Sequence, residues 1–326
     1  MNTFGNALRL SIWGESHGAA VGITLDGVPA GIALSEADFE ADLMRRRGGA
    51  KGTTPRRESD LPHLISGVYE GYTTGAPLTI LFENNNTRSQ DYAELTHHYR
   101  PSHADRVAQV KFCGRNDPRG GGHFSARLTA ALVAAGVVAK KILPETVSFT
   151  TRLAAVGGET NPDRFESVVA AAQAEGDSVG GVIECCAAAL PTGWGEPFFD
   201  SAESLISHLL FSIPAVKGVE FGDGFDVAAR RGSENNDRIL NAEGTTATNH
   251  AGGIDGGITN GNPLRVRVAM KPTPSIAREQ LTFDRSADAV TPLQIKGRHD
   301  ACVALRGAVV VEAAVALALA DLSLRA

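Results

Sequence analysis

Three histidines in this sequence lie in short motifs whose neighbours suit proton transfer. His17 lies in a glycine-flanked turn, GESHG, and His299 precedes Asp300 in KGRHDAC. In YRPSHADR, Asp105 lies two residues after His103 and can orient its imidazole and keep it protonated. Imidazoles exchange protons near neutral pH, so these motifs are candidates for general acid–base catalysis. Taken one at a time, each is also explained as an ordinary turn or helix start.

Two other chemistries fit the same motifs less well. GESHG matches GxSxG, the serine-hydrolase pattern in which Ser16 would be the nucleophile. That pattern needs a helix after the turn, whereas the following AAVGITLDG is typical of a strand. A metal site built from His17, His103, His299 and Asp300 lacks any ligand pair at a spacing typical of metal centres. We therefore expect no metal.

A second group of residues is suited to binding anions. Basic side chains are concentrated in one glycine-containing stretch, namely Arg45, Arg46, Arg47, Lys51, Arg56 and Arg57. The alternative is a solvated loop paired with Glu58 and Asp60. In RGGGHFSARLTAAL, glycines precede a helix whose free amides can face an anion. With NHAGGIDGG and MKPTPS, these loops favour a phosphorylated cofactor beside a phosphorylated substrate.

Composition narrows the class of protein. The 326 residues carry a net charge of −6, and the basic loop has no interleaved aromatic residues for base stacking, so we expect no nucleic acid partner. The four cysteines form no CxxC pair and are expected to be reduced thiols. The N-terminus does not resemble a signal peptide, and charges interrupt the apolar segment 301–324. We expect no membrane span and a cytoplasmic protein.

Hydrophobic periodicity predicts an α+β fold with largely antiparallel strands, in a single domain over 1–326. The predicted strands are Leu8–Trp13, Val21–Leu25, Leu64–Tyr69, Pro77–Phe82, Val179–Ala188 and Leu264–Met270. The predicted helices are Glu36–Arg46, Ser125–Leu143, Phe165–Ala174, Ser201–Leu210 and one buried helix within 301–324. Strands and helices do not alternate regularly, which disfavours a Rossmann sheet.

Read together, the motifs resemble the chorismate synthase family over nearly the whole chain. They are GESHG, RRRGG, TTGAP, NNNTRSQDY, RPSHAD, RGGGHFSAR, VKGVEFGDGF, NHAGGIDGG, KPTPS and KGRHDAC, in the family's order. The resemblance implies a β-α-β sandwich, with helices between antiparallel sheets, assembled as a homotetramer. It implies 5-enolpyruvylshikimate 3-phosphate (EPSP) as substrate and reduced FMN (FMNH2) as cofactor. The implied reaction is a 1,4-elimination of phosphate with no net redox change. NADPH is a second cofactor if the protein reduces its own flavin.

The resemblance also implies roles for individual residues. His17 resembles the histidine that supplies a proton to the reduced flavin, and His103 the one that assists the departing phosphate. Asp300 resembles the acid near flavin N5 that helps N5 accept the substrate's C6 proton. The residues at substrate-binding positions are Arg46, Arg47, Arg127 and Arg298. The residues at FMN-binding positions are Ser125, Ala215, Gly256, Lys271, Thr273, Ser275 and Arg298, with Arg46 near the nicotinamide cofactor.

The chain departs from the family's usual pattern in several places. Gly48 replaces a proline, and Lys51-Gly52 stands where an arginine is common. Further departures are His123-Phe124 for Arg-Ser, Leu128 for Glu, Pro214 for Asn and Ala301 for Pro. These departures affect positions that are expected to contact FMN, and any NADPH site. Two rival functions remain, a flavin-independent lyase or hydrolase of a phosphorylated metabolite, and a flavin- or nucleotide-binding module.

Overall fold

The computed structural model describes residues 2–54, 58–85, 97–295 and 299–326. Its strands are β1 (Thr3–Phe4), β2 (Arg9–Gly14), β3 (Ala20–Asp26), β4 (His63–Ser66), β5 (Val68–Tyr69), β6 (Tyr72–Thr73), β7 (Leu78–Glu83), β8 (Ser148–Val156), β9 (Gly181–Ala188), β10 (Val216–Phe221), β11 (Ile254–Asp255), β12 (Ile258–Thr259), β13 (Leu264–Met270), β14 (Gln280–Asp284) and β15 (Ala289–Leu293). Its α-helices are α1 (Glu40–Arg46), α2 (Asp105–Lys111), α3 (Thr129–Ile142), α4 (Phe165–Ala174), α5 (Ala202–Ser212), α6 (Gly232–Asn235) and α7 (Ala304–Ser323).

Two antiparallel sheets enclose a helical layer. The first sheet has the strand order β1-β2-β3-β7-β4, and the second has the order β10-β13-β9-β8. Helix α3 packs on β3 and β7 of the first sheet, whereas α7 packs on β8 and β9 of the second. The two helices also pack against each other, and α1 contacts both. The prediction of helices between antiparallel sheets is therefore confirmed.

The sequence pattern explains why each layer forms. Along β13, residues Leu264, Val266, Val268 and Met270 are buried, and the alternate arginines are only partly buried on the other face. That period of two is expected for a strand with one face on the core. Helices α3 and α7 are instead apolar all round and almost fully buried, because each has a sheet on one side and a helix on the other.

The two acidic residues buried inside α7 each accept hydrogen bonds from specific partners. Glu312 is 4% exposed and accepts hydrogen bonds from both terminal nitrogens of Arg45, at 2.8 and 2.7 Å. Asp321 is 1% exposed and accepts the backbone N–H groups of Asn6, Ala7 and Leu8. These bonds make burial of the two carboxylates tolerable. No helix in the described part of the chain is long and apolar enough to cross a bilayer.

Several element bounds differ from the predictions for local reasons. The predicted helix 36–46 begins as a 3-10 turn over Glu36–Phe39, and the one from 125 begins as a 3-10 turn over Ala126–Leu128. The predicted strand 64–69 is divided at Gly67, whose positive φ of 88° separates β4 from β5. Strands β8 and β10 and the β14–β15 hairpin were not predicted.

Gly136 sets the separation of α3 and α7. A methyl group at this position would lie 2.4 Å from Ala313 Cβ and 2.6 Å from Ala313 Cα. We expect Gly136→Ala to destabilise the protein by about 1–3 kcal/mol through overpacking, although alanine favours a helix. Urea unfolding measures this change. Gly232→Ala is the control, because its added methyl group meets nothing within 4 Å. An equal effect of both substitutions would contradict close packing at Gly136.

Candidate active site

A cavity of about 760 Å³ brings together segments that are far apart in the sequence. Its size lies in the range of roughly 300–1,000 Å³ that is usual for small-molecule sites. The predicted site residues that line it are Arg46, His103, Ser125, Arg127, Ala215, Lys271, Thr273, Ser275 and Asp300. His17, Arg47 and Gly256 are not among its lining residues. Arg298 lies outside the described residues.

A run of three glycines positions both predicted catalytic histidines. Gly120, Gly121 and Gly122 all have positive φ, at 59°, 83° and 53°, a conformation that glycine adopts without strain. A methyl group on Gly120 would lie 2.5 Å from Cδ2 and 2.7 Å from Nε2 of His17. One on Gly121 would lie 3.5 Å from Nε2 of His103. Gly120 lines the cavity, so His17 lies directly behind the cavity wall.

The turn that carries His17 is tied to this glycine loop. Ser16 donates its backbone N–H to Gly122 O at 3.1 Å, and His123 Nδ1 is 2.8 Å from Gly14 O. A carbonyl accepts only, so Nδ1 of His123 carries the proton. Strand β3 follows the turn directly, which confirms that the segment lacks the strand–turn–helix geometry of a hydrolase elbow.

His103 is oriented by a chain of polar contacts. Its Nδ1 lies 2.6 Å from Asp105 Oδ1, and Arg100 donates to both oxygens of Asp105 at 2.7 and 2.8 Å. Arg100 also donates to Ser275 Oγ at 3.3 Å. The arginine and the histidine hold the pKa of Asp105 well below its usual range, although burial opposes this. The acid therefore stays ionised and fixes the ring with Nδ1–H toward Asp105.

Burial lowers the pKa of His103 and outweighs the opposing hydrogen bond from Asp105. The charges of Arg100 and Lys271 lower it further. The prediction that Asp105 orients this imidazole is confirmed. Burial opposes the prediction that Asp105 keeps it protonated, because desolvation disfavours the charged ring in the ligand-free protein. The lowered pKa favours the neutral ring, with its proton on Nδ1 toward Asp105.

Two of the predicted anion-binding arginines share one buried acid. Asp60 is 2% exposed, and its two oxygens accept hydrogen bonds from Arg46 and Arg127. Arg46 also donates to Thr129 Oγ1 at 2.9 Å and to Ala126 O at 3.0 Å. Burial lowers the pKa of Arg46 to about 10, so it remains charged at neutral pH. Both guanidinium groups are fixed in the cavity wall before any ligand binds.

Asp300 is held from two sides. Arg306 donates to both of its carboxylate oxygens, at 2.9 and 2.6 Å, and the backbone N–H of Thr54 donates to Oδ1 at 2.9 Å. Arg306 also donates to Arg46 O at 3.3 Å, which links Asp300 to the basic loop. These charge-assisted bonds fix the orientation of the carboxylate. The arrangement offers a fixed negative charge beside a largely cationic wall.

Two of the predicted residues lie elsewhere. Arg47 donates to Ser59 O at 2.5 Å instead of facing the cavity. Gly256 lies in the turn between β11 and β12, with φ at 60°. Their predicted ligand-binding roles stay predictions. The described residues contain no group of three His, Cys, Asp or Glu side chains that could hold a metal ion.

Sequence reasoning gave no site role to three residues that shape the site. Arg100 and Arg306 line the cavity, and Asp60 joins two of its arginines. His299, already a candidate from its motif, lines the cavity as well. Arg306 did carry a signal, since an arginine inside an apolar helical segment needs a buried partner. Asp60 appeared only as a possible counter-charge within the basic loop. Its pairing depends on Arg127, 67 residues away, which no local pattern reveals.

Replacing Asp60 with asparagine tests the shared acid. Asparagine tolerates the positive φ of 46° at this position, so the backbone can be retained. Two buried guanidinium groups would lose their counter-charge, and we expect destabilisation by about 3–5 kcal/mol, measured by urea unfolding. Asp26→Asn is the control, because it breaks an exposed pair with Arg9 and should change stability by about 1 kcal/mol or less. Similar losses in both variants would contradict the assignment.

The pH dependence of stability has a definite sign at His299. Burial, with Arg100 and His103 nearby, lowers the pKa of His299 to about 4, whereas the unfolded value is near 6.5. The unfolded chain therefore binds this proton first, and stability falls as pH drops from about 6.5 toward 4, by up to roughly 3 kcal/mol. Urea unfolding at several pH values should show a shallower slope in His299→Gln. The exposed His63→Gln is the control; identical slopes in all three proteins would refute this assignment.

Comparisons with known proteins identify the family to which this fold and site belong. The chorismate synthase family model matches residues 8–324. A chorismate synthase from Chitinophaga pinensis is 58% identical over 99% of this chain and 97% of its own. One from Archaeoglobus fulgidus is 44% identical over 98% of this chain and 96% of its own. A crystal structure of chorismate synthase matches with a TM-score of 0.74 and 30% identity, over 99% of this chain and 93% of its own. This chain belongs to the chorismate synthase family.

Proposed function

We propose that this protein eliminates phosphate from EPSP to give chorismate, the last common step toward the aromatic amino acids. The family to which the chain belongs catalyses this carbon–oxygen lyase reaction with a reduced flavin. The observation that carries the proposal is one cavity lined by His103, Asp300 and the fixed cations Arg46 and Arg127. The substrate is a small polyanion, and such a wall binds it without reorganising.

FMN is the flavin proposed for this site. Thr273 Oγ1 is buried without a hydrogen-bond partner among the described residues, and it lines the cavity. Ser125, Ala215, Lys271 and Ser275 line the same cavity and would hold the cofactor with it. Reduced FMN, when bound, supplies the transient electron density that makes loss of a non-acidic C–H hydrogen feasible as phosphate leaves. The orphaned hydroxyl is a direct reason to expect a polar ligand there.

The protein's own residues supply binding, orientation and proton handling. Arg46 and Arg127 attract the phosphorylated substrate, and their contacts with Asp60 keep them from moving with it. The lowered pKa of His103 favours its neutral ring in the free protein, but a bound phosphate raises the pKa of a nearby imidazole. We propose that His103 gains its proton on substrate binding and then assists the departing phosphate. Asp300 is the carboxylate available to stabilise the proton released from the substrate.

His17 is proposed to hold a proton for the reduced flavin at the Gly120 side of the cavity. Its position against Gly120 supports this role, because the ring packs against a residue that lines the cavity. A side chain on residue 120 would displace the imidazole of His17. The proposal needs no direct contact of His17 with the substrate.

We also propose a homotetramer in the cytoplasm, with NADPH used if the protein reduces its own flavin. Support for assembly comes from aromatic side chains on the surface, where Phe198, Phe199 and Phe225 are 86%, 91% and 86% exposed. Apolar groups this exposed commonly mark subunit contacts. Light scattering that returned the mass of a monomer would contradict the assembly.

An anaerobic assay with EPSP, with and without reduced FMN, tests the function. We expect chorismate and phosphate only when reduced FMN is present. His17→Ala and His103→Ala should each lower the turnover rate by about 10²–10⁴-fold, the usual contribution of a general acid or base. His63→Ala is the control, because this exposed histidine lies outside the cavity lining. Circular dichroism checks that all variants are folded.

Each rival function has its own outcome in this assay. Phosphate release that ignores flavin would favour a flavin-independent lyase or hydrolase. Tight FMN binding without any EPSP turnover would favour a binding module. Near-normal rates in both histidine variants would remove the catalytic assignments while leaving the overall reaction in place. A further arm, with oxidised FMN and NADPH, reports whether the protein reduces its own flavin.

A further inference from the structure

His299 has no role in the reaction as proposed so far. It lines the cavity, and its Nε2 is buried without a hydrogen-bond partner among the described residues. A buried nitrogen in this state carries a free-energy penalty that a protein partner or a ligand can remove. Because His299 lines the cavity, a ligand bound there is a partner within its reach.

The charges around His299 indicate which ligand atom it meets. Burial is the largest cause of its lowered pKa, and the positive charge of Arg100 lowers it further. Asp300, which acts in the opposite direction, is already paired with Arg306 and Thr54, and Arg100 is paired with Asp105. The negative groups here are thus engaged, and Lys271 adds a cation to the lining. An anionic oxygen is the acceptor that this environment favours.

We propose that His299 contacts the substrate, with its Nε2–H donating a hydrogen bond to the phosphate of bound EPSP. This inference rests on the proposed function, because it places the phosphate on the His103 side of the cavity. As an uncharged donor, His299 binds phosphate less strongly than an arginine would. It therefore selects the phosphorylated substrate without holding the phosphate product as tightly as another fixed cation.

The test separates a binding role from a structural one. His299→Phe keeps a ring of similar size and removes both nitrogens, whereas His299→Gln keeps an amide N–H near the place of Nε2. EPSP binding is measured by calorimetry in the presence of oxidised FMN, and FMN binding is measured alone. Urea unfolding of the ligand-free proteins gives their stability. His63→Phe is the matched control on an exposed histidine.

We expect His299→Phe to weaken EPSP binding by about tenfold or more, the effect of losing one hydrogen bond to a charged group. FMN affinity should be unchanged, and stability at neutral pH should be equal or higher, because an unpaired buried nitrogen has been removed. His299→Gln should recover most of the EPSP affinity, and His63→Phe should leave it unchanged.

Several results would overturn the proposal. EPSP affinity unchanged in His299→Phe, or FMN affinity lowered in place of it, would remove His299 from the substrate phosphate. A loss of stability in both His299 variants, with parallel loss of both ligands, would make the residue structural. If wild-type protein and His299→Phe bind EPSP equally well, only this inference is refuted. If wild-type protein does not bind EPSP, the proposed function is refuted as well.

Discussion

One buried carboxylate shared by two arginines is the interaction on which the site depends. Arg46 and Arg127 come from the basic loop and the glycine-loop segment, and Asp60 holds both at 2% exposure. Without the acid, two desolvated cations would repel each other, and burial already lowers the pKa of one. With it, the pair holds positive charge in a fixed position in the cavity wall. On the proposed function, this charge meets the anionic substrate without rearrangement.

That wall also determines the state of the imidazoles. His103 and His299 lie among cations in a poorly solvated cavity, and the pKa of each is lowered. On the proposed function, a dianionic substrate reverses the local potential and makes His103 more basic when it binds. Proton uptake at His103 would then be coupled to the charge of the ligand, at the place where a phosphate leaves. A permanently charged histidine would lack this coupling.

Sequence reasoning found the elements with strong periodicity and the residues inside distinctive motifs. Strand β13 and helix α4 have the predicted bounds, because one alternates cleanly and the other is bounded by turn residues. The bounds of β4 and β5 were missed because Gly67 takes a positive φ and divides a segment that was predicted as one strand. Two ion pairs were missed for a different reason. The pairs Arg127 with Asp60 and Asp300 with Arg306 depend on the fold and not on local pattern.

The glycine loop is both a local sequence motif and a place where contacts from distant residues meet. All three residues have positive φ, and a methyl group on Gly120 would clash with His17 at 2.5 Å. On the other side, a methyl group on Gly121 would be in ordinary contact with His103, at 3.5 Å. The motif therefore reflects one close contact as well as its own backbone conformation. Asp105 fixes one imidazole and the β2–β3 turn fixes the other, so the loop only has to remain thin. On the proposed function, this thin loop would let His17 act on the cavity without lining it, and a methyl group at Gly120 would displace its ring.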